Sequence, residues 1–205
     1  MTVAANSALL SRIENDRALS RYFELPCDFD VTRREPVEVL HLSSGAPLVP
    51  VAGCQSGGTY FLCGAPESGA TGGAANGATG GVTDGVTDDE RPVIYTDPEG
   101  HSGLIAHSLR EALELIAGIP YWKDCLHLSR AERDRPEEDL LAEVESDFLD
   151  AVPEFDPAQQ RAAARALGIE LPERTVLLRR LRAALDHTLP DYVVHNAEGW
   201  PYDSL

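Results

Sequence analysis

Three polar side chains that could do chemistry occur within five residues, in the segment DPEGH at 97–101. Asp97, Glu99 and His101 supply two carboxylates and an imidazole, a set that can bind a divalent metal ion or exchange protons with a substrate. The same letters also make a good β-turn, because proline fits its second position and glycine its end. We interpret the segment mainly as a turn and keep a hydrolase-type enzyme, with a site near these three residues, as the alternative.

A second possible chemistry is a zinc site made of Cys54, Cys63, His101 and His107. Structural zinc sites usually take their ligands in close pairs, such as two cysteines separated by two residues. Neither the cysteines nor the histidines here have that spacing, and buried cysteine commonly serves as a small apolar core residue. We therefore predict no metal and no other cofactor.

The relation between Cys54 and Cys63 depends on the turn between them. If Gly58 and Thr59 form the turn, the two cysteines lie opposite each other; if Gly57 and Gly58 form it, they are two positions out of register. The sequence has no apolar leader segment and no run of about 18 apolar residues. We therefore expect a cytoplasmic protein, in which the thiols stay reduced.

The glycine pair does not fit a phosphate-binding loop, because the strand-like segment YFLC follows it where a helix would be needed. Gly57 and Gly58 are instead predicted to form a hairpin turn, with Tyr60 on the strand that follows. The nucleophile motif GxSxG and the zinc-binding motif HExxH do not occur in the sequence. We therefore predict no catalytic residue and a protein that is not an enzyme.

The formal net charge of the chain is -17, which disfavours nucleic-acid binding because phosphate contacts need clustered Lys and Arg. Acidic residues concentrate at 83–90 and 136–150, where they either face solvent or dock a basic protein. The oligomeric state stays open, since the leucines of VLLRRLRAALDHTL (176–189) are spaced for a dimeric regulatory scaffold. The predicted partner-binding residues are Asp84, Asp88, Asp89, Glu90, Asp97 and Glu99.

The hydrophobic pattern predicts an α+β fold, with an antiparallel, possibly mixed, sheet flanked by an N-terminal helix and C-terminal helices. Residues 65–90, rich in Gly, Ala, Thr and Asp, are predicted to be a disordered loop. We expect residues 1–130 to form one α+β domain and residues 131–205 a helical extension packed on it. The predicted strands are 36–42, 48–54, 59–64, 91–97 and 104–108, and the predicted helices are 7–23, 109–119, 136–152, 157–167 and 172–188.

The order of these motifs resembles the SUKH superfamily, which includes yeast cell-wall regulators and many bacterial immunity proteins. The resemblance spans about residues 36–119 and implies a SUKH-like α+β fold with a protein-binding role. Neutralisation of a bacterial toxin, commonly a basic nuclease, is the function it leads us to expect. The matching residues are Gly57, Gly58, Tyr60, Phe61, Val93, Tyr95, Asp97, Ala106, Ser108 and Leu109.

Overall fold

The computed structural model describes residues 7–64, 88–127 and 135–205 and shows an α+β fold, as predicted. The main sheet is mixed: β2 (Leu48–Gly53), β3 (Thr59–Cys63), β4 (Val93–Thr96) and β5 (His101–Ala106) are antiparallel neighbours, and β7 (Asp203–Ser204) runs parallel to β5. A second, two-stranded sheet joins β1 (His41–Leu42) to β6 (Val194–His195). Helices lie at both ends of the chain.

The N-terminal segment forms two short helices, α1 (Ala8–Asn15) and α2 (Arg17–Glu24), instead of the single predicted helix 7–23. Asp16 breaks the helix because its backbone is extended, with φ -113° and ψ 110°. Its carboxylate accepts the backbone N–H groups of Ala18 at 2.8 Å and Leu19 at 3.2 Å, so it caps the second helix.

The hairpin of β2 and β3 has neither of the two turns that the sequence offered. Gly53 lies opposite Thr59, and the N–H of Cys54 donates to the carbonyl of Gly58 at 2.9 Å. The loop is therefore Gln55-Ser56-Gly57, with Gly57 at φ +97°, as expected for a three-residue loop that ends in a left-handed residue. Both alternatives for the cysteines are thus wrong: Cys54 begins the turn, Cys63 lies opposite Leu48 at the far end of β3, and both are free thiols.

Two strands differ in length from their predictions. The strand predicted at 36–42 is reduced to β1, because its partner β6 is only two residues long. Conversely, β5 begins at His101, earlier than the predicted 104–108, because the turn that precedes it occupies only Asp97–Gly100. Helix α3 (Leu109–Gly118) follows, capped by Ser108, whose Oγ accepts the N–H of Glu111 at 3.1 Å.

The predicted disordered loop at about 65–90 lies outside the described residues as far as residue 87. Its last three residues, Asp88–Glu90, form one turn of 3-10 helix, in which Asp88 is buried. That part of the prediction is wrong, because the carboxylate of Asp88 pairs with the buried guanidinium of Arg91 at 2.9 Å.

The C-terminal third contains α4 (Glu137–Ala151), α5 (Pro157–Leu167) and α6 (Arg174–Asp186), close to the predicted helices. The last residues then return to the main sheet as β7. Side chains of Leu177, Leu178 and Leu181 on α6 are buried in the same core cluster as the sheet and α3. Packing within the chain therefore occupies three of the five leucines that were considered for a dimer seam, whereas Leu189 is exposed.

The main sheet is covered on both faces. One face, which carries Tyr60 and Tyr95, packs against Trp122, with ring centroids 6.3 and 5.2 Å apart, and against the N-terminal helices and α3. The segment after α3 therefore packs on the sheet. The opposite face, with Ile94 and Leu104, packs against Ala184, Val194 and their neighbours.

Candidate functional site

An open cleft of about 810 Å³ lies at one end of the main sheet. Its size falls in the range of small-molecule and side-chain binding pockets. Parts of the chain that are distant in sequence form its walls: residues 25–28, the β2–β3 turn, the turn at 97–100, residues 120–126, the C-terminal half of α4 and the last two residues. The fold therefore brings the segment DPEGH to the edge of a cavity.

Asp97 organises the turn at that edge. Its Oδ1 accepts the backbone N–H groups of Glu99 and His101, each at 2.9 Å, and its Oδ2 lies 2.8 Å from Nδ1 of His101. When Nδ1 carries the proton and donates to Asp97, Nε2 of His101 is left as an acceptor. One ligand atom from each of Asp97, Glu99 and His101 lies within 4.8 Å of the others, so the turn has the donors for a metal ion as well as a structural role.

The lining of the cleft also contains an ion pair that sequence reasoning missed. Lys123, the single lysine of the chain, lies with Nζ 2.5 Å from Oδ2 of Asp28 and 5.6 Å from the ring centroid of Tyr95. Asp28 has a left-handed backbone, with φ +49°, and its Oδ1 accepts the N–H of Gln55 at 2.7 Å. Aspartate tolerates this conformation better than most residues, and such strain is commonly found at functional positions. The rarity of lysine was the one signal in the sequence.

Two buried tyrosines, Tyr60 and Tyr95, lie next to this part of the cleft. The hydroxyl of Tyr95 lies 3.5 Å from Sγ of Cys54, and the same sulfur accepts the N–H of Gly58 at 3.1 Å. Burial raises the pKa of both Tyr60 and Tyr95 well above the ordinary value for tyrosine. These phenols therefore stay protonated at neutral pH and serve packing instead of acid–base chemistry.

Negative charge dominates the edge of the cleft. Four carboxylates, from Asp28, Asp97, Glu99 and Asp124, line it together with Lys123 and His101. The rest of the lining is largely apolar and includes prolines, leucines and Phe148. The arrangement suits a group that combines an apolar body with a positive charge.

Helix α4 carries an acidic surface on its exposed side. Phe148 and Val152, at its C-terminal end, line the cavity. The exposed side of the same helix, which we call the acidic face, carries Asp139, Glu143, Asp147 and Asp150 at helical spacing. Only Glu143 among these four forms an ion pair with another described residue, Arg135, at 2.9 Å.

The predicted partner-binding residues do not lie together in the structure. Glu99 and Asp97 lie at the cleft, Glu90 is exposed, and Asp84 lies outside the described residues. Asp88 is buried beside Arg91, and the carboxylate of Asp89 accepts a hydrogen bond from the hydroxyl of Ser7. The remaining predicted residues are structural: Gly57 and Gly58 shape the hairpin, and Tyr60 is fully buried on β3.

The zinc set considered from the sequence does not assemble. Cys54 and Cys63 lie at opposite ends of β3. His101 begins β5 and His107 follows its last residue, so about 20 Å of extended chain separates them. These distances exclude a single ion bound by the four residues.

No protein-family model, no curated protein and no solved structure matches this chain. Among the described residues, no helix combines the length and the apolar character required to cross a lipid bilayer.

Proposed function

We propose that this chain is a non-catalytic module that binds a basic protein through the cleft and the acidic face of α4. The observation that carries the proposal is what α4 supplies: Phe148 and Val152 contribute apolar area to the cleft, and Asp139, Asp147 and Asp150 place negative charge on the exposed side of the helix. The partner would thus meet apolar area in the cleft and unpaired negative charge on the exposed side of α4.

The physical roles of the two parts differ. Exposed carboxylates that form no ion pair within the chain generate a negative electrostatic potential. This potential speeds the encounter with a positively charged partner, and salt weakens the effect. The apolar lining of the cleft offers area that binding can remove from water, which determines how long the complex lasts. Interfaces of this kind combine an apolar centre with a polar rim.

The sequence resemblance to the SUKH superfamily supports a more specific proposal. We infer that the partner is a bacterial toxin and that this chain is a cytoplasmic immunity protein. Many toxins of this group are basic, and the net charge of -17 is complementary to such a partner.

The experiment uses the protein encoded immediately upstream as the binding partner. Its association rate is measured with the wild-type chain, with Asp139→Lys/Asp147→Lys and with a control, Asp191→Lys/Glu198→Lys. The control makes the same change in net charge at exposed residues that do not line the cleft. We expect the α4 variant to associate about tenfold more slowly at low salt, and the control to stay close to wild type. Equal rates for the two variants, or no binding by the wild type, would contradict the proposal.

A second candidate function, a metal-dependent hydrolase, is favoured by one observation. Donor atoms from Asp97, Glu99 and His101 lie within 4.8 Å of each other beside a cleft that can admit a substrate. Manganese binding, followed by electron paramagnetic resonance, tests this candidate with His101→Gln as the comparison. Binding that the substitution abolishes, together with hydrolysis of a nitrophenyl ester or phosphate, would favour the enzyme. Equal spectra for both proteins would exclude this site.

A further inference from the structure

Two exposed histidines that are 80 residues apart in sequence meet away from the cleft. Nε2 of His107 lies 3.4 Å from Nδ1 of His187, with the ring centroids 5.4 Å apart and the ring planes inclined at 57°. His107 follows the end of β5, and His187 is the C-terminal cap of α6. The cleft lies at the other end of β5, where His101 begins that strand.

The separation of the two nitrogens is compatible with two ligands on one metal ion. A nitrogen–nitrogen hydrogen bond usually has a separation of about 3.0 Å, so 3.4 Å is long. By contrast, two imidazole nitrogens bound tetrahedrally to zinc, each about 2.0–2.1 Å from the ion, lie roughly 3.3–3.4 Å apart. The two rings therefore need little movement to share an ion.

We propose that His107 and His187 form a binding site for a divalent ion of the zinc type, through Nε2 of His107 and Nδ1 of His187. Imidazole nitrogen is a preferred ligand of zinc, copper and nickel, and water can complete the coordination. Glu111 places a carboxylate nearby, since its Oε2 accepts the backbone N–H of His107 at 3.1 Å. That negative charge favours a bound cation.

The site would connect two parts of the fold. Helix α6 packs on β5 and is joined to α3 by the ion pair between Arg180 and Glu114, at 3.1 Å. Between these elements runs a small groove of about 110 Å³ lined by His107, Glu111, Arg180 and Leu181. An ion at the mouth of this groove would fasten the C-terminal end of α6 to the start of α3. A bound ion stabilises whichever conformation binds it, so zinc should raise Tm.

The test measures zinc binding to the full chain by calorimetry near neutral pH, together with nitrogen spectra of the histidine rings. We expect one tight equivalent of zinc that shifts Nε2 of His107 and Nδ1 of His187. Because loss of even an outer-shell partner costs about 10–100-fold in metal affinity, His107→Gln and His187→Gln should each weaken binding at least tenfold. His41→Gln serves as the matched control and should bind like the wild type, and His101→Gln reports any binding at the 97–101 turn.

Melting of each variant without zinc reports whether it folds, and either of the two variants alone suffices as the comparison. The proposal is overturned if the wild type shows no zinc binding, or if the rings of other histidines shift instead. It is also overturned if His101→Gln abolishes binding while His107→Gln retains it, because the ion would then sit at the 97–101 turn. These outcomes are independent of the binding of any protein partner.

Discussion

Replacement of Arg91 by methionine should destabilise the protein more than any surface substitution. Arg91 is only 3% exposed, and its guanidinium pairs with Asp88 at 2.9 Å. It also donates to the carbonyl oxygens of Cys63 at 3.1 Å and Leu62 at 3.3 Å, and to that of Gly64. The side chain thus joins the end of β3 to the chain that enters β4. Methionine keeps the apolar stem and removes every one of these donors.

The magnitude follows from burial. Removal of one member of a buried ion pair leaves a charge that water does not solvate, which typically costs about 3–5 kcal/mol. Whole domains are stable by only about 5–15 kcal/mol, so the variant should lose a large part of its stability. The matched control is Arg135→Met, because the pair of Arg135 with Glu143 is exposed at both side chains. Exposed pairs of this kind contribute about 0–1 kcal/mol.

Urea unfolding followed by circular dichroism gives the free energy of unfolding for the three proteins. Addition of Asp88→Asn to the Arg91→Met variant removes the buried charge and should recover part of the loss. Recovery should be incomplete, because the carbonyls of Leu62 and Cys63 still lack their donor. If Arg91→Met unfolds with the same free energy as Arg135→Met, the assignment of Asp88 and Arg91 to the core is wrong.

Three further predictions concern the thiols, the hairpin and the α3–α6 pair. Burial raises the pKa of Cys63 and Cys125 to about 12. Thiol reagents at mildly alkaline pH should therefore label the native protein slowly, and should label all four cysteines after unfolding. Rapid labelling of the native protein would count against this. Gly58→Ala should cost about 1–3 kcal/mol in urea unfolding, because a Cβ would lie 2.3 Å from the Tyr95 hydroxyl and 2.8 Å from the Thr96 carbonyl, and an unchanged free energy would refute that close approach. Burial raises the pKa of Glu114 in the folded state, although Arg180 opposes this shift. Protonation of Glu114 therefore contributes stability that is complete below the pKa of the unfolded state and is lost as pH rises through the pKa of the folded state. The stability of the wild type relative to Glu114→Gln should therefore fall as pH rises above the ordinary glutamate pKa of about 4.3. A difference that is constant or grows with pH in urea unfolding would contradict this.

Local features of the fold could be predicted from the sequence because local chemistry determines them. Ser108 caps α3 through a local contact, since its hydroxyl needs only the N–H of Glu111, three residues away. The three C-terminal helices begin and end close to the predicted residues, where Pro and Gly interrupt the pattern. The hairpin itself was also foreseen, but its register was not, because Gln55-Ser56-Gly57 and the glycine pair allow several loops of similar cost.

Features that depend on tertiary contacts could not be predicted. The cleft pairs Lys123 with Asp28, 95 residues away, and the contact between His107 and His187 joins residues that are 80 apart. No spacing rule links such positions. Burial also gives individual acidic residues different roles. Asp88 belongs to an acidic segment of the sequence, yet its carboxylate is buried beside Arg91. Whether a charge faces solvent depends on the packing of the whole chain.

Central to the proposed function is the binding of a basic protein by the cleft together with the acidic face of α4. Its most direct test is the association rate of the upstream-encoded protein, measured over a range of salt concentrations for the wild type and for Asp139→Lys/Asp147→Lys. We predict a wild-type rate that falls steeply as salt rises, and a variant rate that is slower at low salt and depends less on salt. A rate that does not change with salt, or that is the same for both proteins, would contradict it.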